Sequence, residues 1–177
     1  MTKDLTQGKI TPLLVKFTIP LLFGNIFQLM YNSVDSIIVG QLVGKEALAA
    51  VGTSNPLMTL AILFVNGMCI GASILMGTQY GAKKMDVLKR QISTTMIAGI
   101  VFSIAVTLFC ILFARPLLLL IRVQEEVLPL AVSYLRIVFL GFIFTFIYNF
   151  FACTLRALGD STTPLYFLVA SSVLNII

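Results

Sequence analysis

The sequence contains no histidine and three cysteines, Cys69, Cys110 and Cys153, each inside an apolar stretch with no second cysteine at metal-ligand spacing. These shortages argue against a zinc or haem site and against a disulfide framework, and the cysteines read as small packing residues. Charge is also scarce. Lys, Arg, Asp and Glu make up 11% of the 177 residues, where soluble domains carry about 25%. No Ser/His/Asp set and no phosphate-cradling G-x-x-x-x-G-K loop occurs, so no nucleophile, base and orienting group stand together as an enzyme would need. The net charge of +5 comes without a basic stripe interleaved with aromatics, and nucleic acid is not an expected partner.

What is abundant is apolar sequence, 59% of the residues, with a mean hydropathy of +1.04. The runs between charge clusters are long enough to cross a hydrocarbon core of about 30 Å, which takes roughly 20 helical residues. The lipid bilayer is therefore an expected partner and the fold class is all-α, a polytopic membrane bundle. Helix one is expected from about Pro12 to Gly40, with Pro12 and Pro20 tolerated in a first turn and as a kink. QLVGKEALAA reads as a short polar connection. Helix two follows from about Pro56 to Tyr80 and helix three from about Ile92 to Ala114. The stretch RPLLLLIRVQEEVLP is too broken by proline and charge to span, and helix four is expected from about Leu130 to Leu155. RALGDSTTP reads as a turn, and a fifth helix starts near Pro164, with thirteen residues after that proline reaching roughly 20 Å, short of a crossing. The chain is thus expected to stop inside a membrane helix.

The opening segment is expected to lead into a retained first membrane helix rather than a signal peptide, because the apolar run after it exceeds the roughly 7–15 residues of such a peptide and shows no small-residue cleavage site. Orientation follows from the basic residues. Lys3, Lys9, Lys16, Lys83, Lys84, Lys89, Arg90 and Arg156 collect on one side, against Lys45, Arg115 and Arg122 on the other, with Arg136 inside the start of helix four. The richer side is expected in the cytoplasm, with residues 1–11 as a cytoplasmic amino-terminal segment. Arg136 is expected to reach the outer interface or a polar cavity along its flexible stem.

Helix one keeps one carboxylate, Asp35. It lies nineteen residues beyond Lys16, roughly 28 Å along a helix and so in the outer half of the membrane. Asn32, Tyr31, Gln28, Asn25 and Gly24 fall within about 80° of it at 100° per residue, with Ile26, Leu29, Met30 and Ile37 opposite. An ionised aspartate facing lipid costs about 2.5–3.5 kcal/mol, so the stripe is expected to face other helices or a wet cavity. There a carboxyl can alternate between a protonated state and an ionised one beside a cation. The plainer alternative is a hydrogen bond to a neighbouring helix, typically under about 2 kcal/mol. Asn66, Thr59, Ser103 and Thr107 read as interhelical or back-bonding groups, and the G-x-x-x-G pairs Gly67/Gly71 and Gly77/Gly81 as places of close helix approach. Asn149, beside Tyr148, and Asn175 divide evenly between packing and cavity lining.

The segment IPLLFGNIFQLMYNSVDSIIVGQLVGKEALAAVG resembles the first helix and following loop of the multidrug and toxic compound extrusion (MATE) family. GTQYGAKK is similar to that family's cytoplasmic loop after helix two, and LRALGDSTTP to its turn between helices four and five. The resemblance covers essentially the whole chain. It implies twelve membrane helices in two six-helix lobes, a central cavity, and export of amphipathic, often cationic small molecules in exchange for H⁺ or Na⁺ across the cell membrane. On it, residues 1–177 are an amino-terminal lobe cut within helix five, missing its carboxyl-terminal lobe as partner. Asp35 matches the first-helix acid, Gln28 and Tyr31 its neighbours in the pocket, and Asn149 and Asn175 amides of that pocket; Asn32 joins them by its place on the stripe. The resemblance implies no cofactor and no bound metal beyond a coupling ion, H⁺ or a Na⁺ near Asp35. In many relatives a second acid follows the helix-five asparagine by four residues, a position past Ile177.

Two other readings stay open on sequence. A flippase for lipid-linked sugars shares the two-lobed architecture, but Arg136 is the sole intramembrane cation where a pyrophosphate would favour several. A non-transporting membrane scaffold suits the short chain and predicts a stable product of this length.

Overall fold

The computed structural model describes residues 10–38, 40–41 and 44–176, and among them every regular element is a helix. The six are α1 (Ile10–Ile38), α2 (Lys45–Gly81), α3 (Met85–Leu120), α4 (Leu128–Leu140), α5 (Phe142–Ala157) and α6 (Thr162–Ile176). Three of them, α1, α2 and α3, are long and apolar enough to cross a membrane, and α4 with α5 makes a fourth span bent by 45°. Helix α6 is a shorter apolar helix.

The boundaries depart from the sequence expectation in three places. The connection expected before Pro56 is helical from Lys45 onward, because KEALAA is made of strong helix formers and Glu46 in the first turn complements the helix dipole. Helix α3 likewise absorbs the basic segment before Ile92 and runs through Pro116 to Leu120. Helix four is not continuous: it breaks at Gly141.

Three helices stop by the same device. The residue after the last turn adopts the left-handed conformation and two backbone N–H groups fold back onto the final carbonyls. After α2, Lys83 has φ 57°, its N–H donates to Tyr80 O at 3.0 Å, and Lys84 N–H donates to Gln79 O at 3.0 Å. After α3, Arg122 takes φ 58°, with Val123 N–H donating to Leu118 O at 3.2 Å. After α5 the position belongs to Gly159, with φ 86°, and Asp160 N–H donates to Leu155 O at 2.9 Å.

The chain resolves into two compact units. The first draws on Met1–Asp35, Cys69–Thr95 and Phe150–Ile177. In it α1 packs on α6, where a Cβ placed on Gly24 would lie 3.6 Å from Leu165 and 3.8 Å from Leu168. The second half of α2 packs on α5. A Cβ on Gly77 would sit 3.7 Å from the Ala157 carbonyl, and the Thr154 hydroxyl donates to Phe150 O at 2.8 Å and approaches Met76 Sδ at 3.7 Å. Met76 and Phe150 are buried there.

The second unit draws on Ser36–Met68 and Met96–Asn149. Its core is Leu118, Ala131, Leu135, Phe139 and Phe146, all fully buried. The face of α3 carrying Gly99, Ser103 and Thr107 lies on the bent pair. Gly99 leaves room for the Phe146 ring, whose atoms occupy the space a Cβ would take. At the break, Gly141 N–H turns back to Val138 O at 3.0 Å, and the Phe139 carbonyl accepts the Thr107 hydroxyl at 3.0 Å. Carbonyls at a bend inside a bilayer have no water to satisfy them, and this side chain supplies one donor there. Thr107 is thus an interhelical group, as its sequence context suggests. Ser103 is fully buried, and its hydroxyl has no partner among the described residues.

Of the two G-x-x-x-G pairs, Gly67/Gly71 does not mediate a close approach. Among the described residues a Cβ on either would meet nothing within 4 Å, and both are exposed. In the other pair only Gly77 abuts a neighbour, while Gly81 is open.

Candidate functional site

Helix α1 is apolar enough to insert, yet one flank carries a row of amides. Its packed face is the stripe Leu13, Phe17, Pro20, Leu21, Gly24 and Tyr31, all half-buried, spaced as a helix face requires. Gln28 and Asn32 lie beside that stripe on the exposed flank, about 40° from one another, and Asn25 is also exposed. Tyr31 and Asn32 each hold an interaction within the chain. Ile26, Leu29, Met30 and Ile37 are exposed as well, so most of the circumference of α1 is left uncovered by the rest of the chain.

Asp35 and Asn175 are carried by α1 and α6, but their side chains lie outside the described residues, as does the stretch 1–9. The helix places Asp35 about 20° from Gln28 around the axis and roughly 10 Å beyond it. Gln28, Tyr31 and Asn32 are thus brought onto one arc with the Asp35 backbone. Asn149 sits half-buried in the second unit, where its side-chain amide donates to the Thr145 carbonyl of its own helix at 2.8 Å. Arg136 is exposed, and its Nε donates to the Ile111 carbonyl of α3 at 3.2 Å.

Two features escaped the sequence reading. The first is an open cleft of ≈ 1120 Å³ in the second unit, walled by α2 with Phe102 of α3. Its lining is apolar, with Leu60, Leu63, Phe64 and Gly67 among the residues, and its polar content centres on Asn55 and Thr59. The Thr59 hydroxyl donates to Asn55 Oδ1 at 3.3 Å. Thr59 therefore bonds a side chain one turn earlier on its own helix, neither across helices nor back to the backbone, while also lining a cavity. The only signal in the sequence was Asn-Pro followed one turn later by Thr.

The second is Asp160, buried in the turn before α6. Its Oδ1 accepts the backbone N–H of Thr162 at 3.1 Å and of Thr163 at 3.0 Å, and its Oδ2 accepts the Thr163 hydroxyl at 2.7 Å. This is an N-cap, and the D-S-T-T-P order is the sequence signature that announces it. Burial pushes the Asp160 carboxyl up, but the Thr163 N–H, the Thr163 hydroxyl and the Thr162 N–H outweigh it and hold the group below its ordinary range. Among the described residues no group of three or more His, Cys, Asp and Glu converges to hold a metal ion.

The chain matches the MatE family model over residues 20–177. It is 34% identical over 172 residues to the "Probable multidrug resistance protein YpnP" of Bacillus subtilis (strain 168), an overlap covering 97% of this chain and 39% of that protein. To the "Probable multidrug resistance protein YoeA" of the same organism it is 36% identical over 160 residues, covering 90% of this chain and 35% of that one. The solved "Crystal structure of MATE in complex with MaD3S" superposes with a TM-score of 0.90 at 26% identity, over 99% of this chain and 40% of that chain. The "Outward-facing conformation of a multidrug resistance MATE family transporter of the MOP superfamily" does so at 0.88 and 26%, over 99% and 39%. The chain therefore spans under two fifths of the length of these curated relatives. Helical throughout its regular structure, with membrane-length spans and a family match from residue 20 onward, this multi-pass membrane chain belongs to the MatE family.

Proposed function

We propose that this chain supplies the amino-terminal lobe of a secondary-active exporter that moves amphipathic or cationic small molecules out of the cell in exchange for H⁺ or Na⁺. The observation that carries this reading is the uncovered amide flank of α1. Gln28 and Asn25 are exposed on a helix whose sequence belongs in lipid, and amides facing hydrocarbon would be costly. They call for water, a solute or a partner helix, and Asp35 lies on the same arc. In this reading Asp35 takes up the coupling ion, Gln28, Tyr31 and Asn32 contact ion or solute, and Asn149 and Asn175 contribute amides. The cleft beside Asn55 and Thr59 suits the same substrates, since apolar walls with a few polar groups hold amphipathic molecules. The membrane is the cell membrane, with the amino terminus in the cytoplasm, on the charge asymmetry of the loops.

An ion drives transport only by binding one conformation better than the other, and a difference of about 1.4 kcal/mol shifts their balance tenfold. Asp35→Asn, in the whole transporter, is expected to preserve expression and abolish efflux of a fluorescent cationic dye from membrane vesicles. Separate pH and Na⁺ gradients identify the ion. Efflux at wild-type rate from the Asn variant under both gradients removes Asp35 from the coupling.

A further inference from the structure

Helix α2 buries Ser54, Ala61 and Val65 on one side, and the cleft of the second unit opens on the other, along Gly52, Asn55, Thr59, Leu63 and Gly67. Its depth in a bilayer follows from the helix itself. Residues 57–76 carry no charge and are mostly apolar, roughly 30 Å of helix and so the thickness of one hydrocarbon core. Thr53, Ser54 and Asn55 flank that run at one end, Thr78 and Gln79 at the other. Asn55 therefore lies at the hydrocarbon boundary, Thr59 one turn inside it and Met68 near the midplane. The cleft follows the depth of one leaflet, polar at its rim and walled below by Leu60, Leu63, Phe64, Met68 and Phe102.

We propose that this cleft binds one ester-linked acyl chain of a bilayer lipid, with the Asn55 amide donating to the ester carbonyl and the chain lying against the apolar walls below. The chemistry of the rim selects this occupant. Asn55 Oδ1 is engaged by the Thr59 hydroxyl at 3.3 Å, which leaves the two N–H donors of the amide without a partner among the described residues. They need an acceptor at the hydrocarbon boundary, where a lipid ester carbonyl sits. A membrane helix has its carbonyls bonded in its own ladder and offers the amide no free backbone acceptor at that depth. No lining residue is charged, whereas a phosphate would call for Lys or Arg. The head group is therefore left in water and its type does not matter. A solute reaching the cleft would displace the chain, but lipid binding itself needs no transport and stands apart from the exporter reading.

The chain has no tryptophan, so Phe64→Trp places a single fluorophore in the cleft, and Leu112→Trp, at an exposed position of α3 outside the lining, a single one at ordinary lipid contact. Each full chain is reconstituted in ether-linked phosphatidylcholine vesicles containing increasing shares of a brominated phosphatidylcholine, either ester-linked or ether-linked, whose bromines quench tryptophan on contact. Phe64→Trp is expected to take the ester lipid about fivefold more tightly than the ether lipid, the effect of one hydrogen bond, and Leu112→Trp to show no preference. Exchanging choline for an anionic glycerol head group is expected to leave the preference unchanged, and Asn55→Leu in the Phe64→Trp chain to remove it. The ester and ether arms need no variant at the rim. Equal quenching of Phe64→Trp by both lipids, the same ester preference at Leu112→Trp, a preference that follows head-group charge or survives Asn55→Leu, or no quenching at all, as beneath a covering protein helix, would each overturn the site. Efflux is not measured, so these outcomes are separate from those of Asp35→Asn.

Discussion

Asp160 shows how much one side chain in a turn can decide. Three hydrogen bonds converge on its carboxylate, and the helix it caps has only 15 residues with which to hold its register. Asp160→Ala is expected to lower stability by about 1 kcal/mol, with Asp160→Asn between the two, read as unfolding midpoints in detergent. The pH dependence has a fixed sign. The folded carboxyl lies below its unfolded value, so its contribution is complete above the unfolded pKa of about 4 and is lost as pH falls through the folded one. Wild type should therefore lose stability on acidification below about pH 4 more steeply than Asp160→Asn. Gly99 makes the opposite kind of point, a residue that matters for what it lacks. A methyl there would overlap the edge of the Phe146 ring, which is fully buried. Gly99→Ala is expected to cost about 1–3 kcal/mol, and Phe146→Leu in the same chain to recover part of it, measured by a double-mutant cycle. The two residues differ in what the sequence showed of them. The turn at Asp160 was readable from its composition, but the Gly99–Phe146 contact joins helices that only folding brings together.

At the scale of the element, spans were legible and their ends were not. Long apolar runs must be helical in a bilayer because no water is there to satisfy the backbone, so the existence of α1, α2, α3 and the bent pair follows from length alone. Ends depend on local backbone choices that hydropathy does not register. KEALAA looked like a loop by its charges and is helix by its alanines and leucine. The break at Gly141 was invisible because one glycine in an apolar run does not by itself bend a helix, and the Thr107 hydroxyl of α3 that donates to the Phe139 carbonyl at the bend is brought there only by folding. The stops after α2 and α3 use Lys83 and Arg122 in a conformation that costs an L-residue about 1–2 kcal/mol, where α5 uses glycine. Lys83→Gly is expected to raise stability by about 0.5–1 kcal/mol, the strain relieved less the extra freedom of the unfolded chain. A lower unfolding midpoint would show that the lysine side chain contributes more through its own contacts than its backbone costs.

For the whole molecule, composition alone announced a membrane protein, and motif order announced the family that the comparisons bear out. The cleft beside Asn55 was not readable, since it is assembled from helices whose mutual packing no periodicity encodes. The amide flank of α1 was readable as a stripe, and its exposure is what supports the proposed role in moving solutes, with Asp35→Asn as the variant that tests it.

The length of α3 carries a further consequence. Its 36 residues extend for roughly 54 Å, well past a hydrocarbon layer of about 30 Å. When bilayer thickness changes by a few ångströms, the region of altered solvation is still regular helix rather than a connection, so adjustment falls on side chains and tilt. Circular dichroism of the chain reconstituted in short- and long-acyl phospholipids should therefore give the same helical content, whereas a fold whose spans only just fitted would fray as its host thickened.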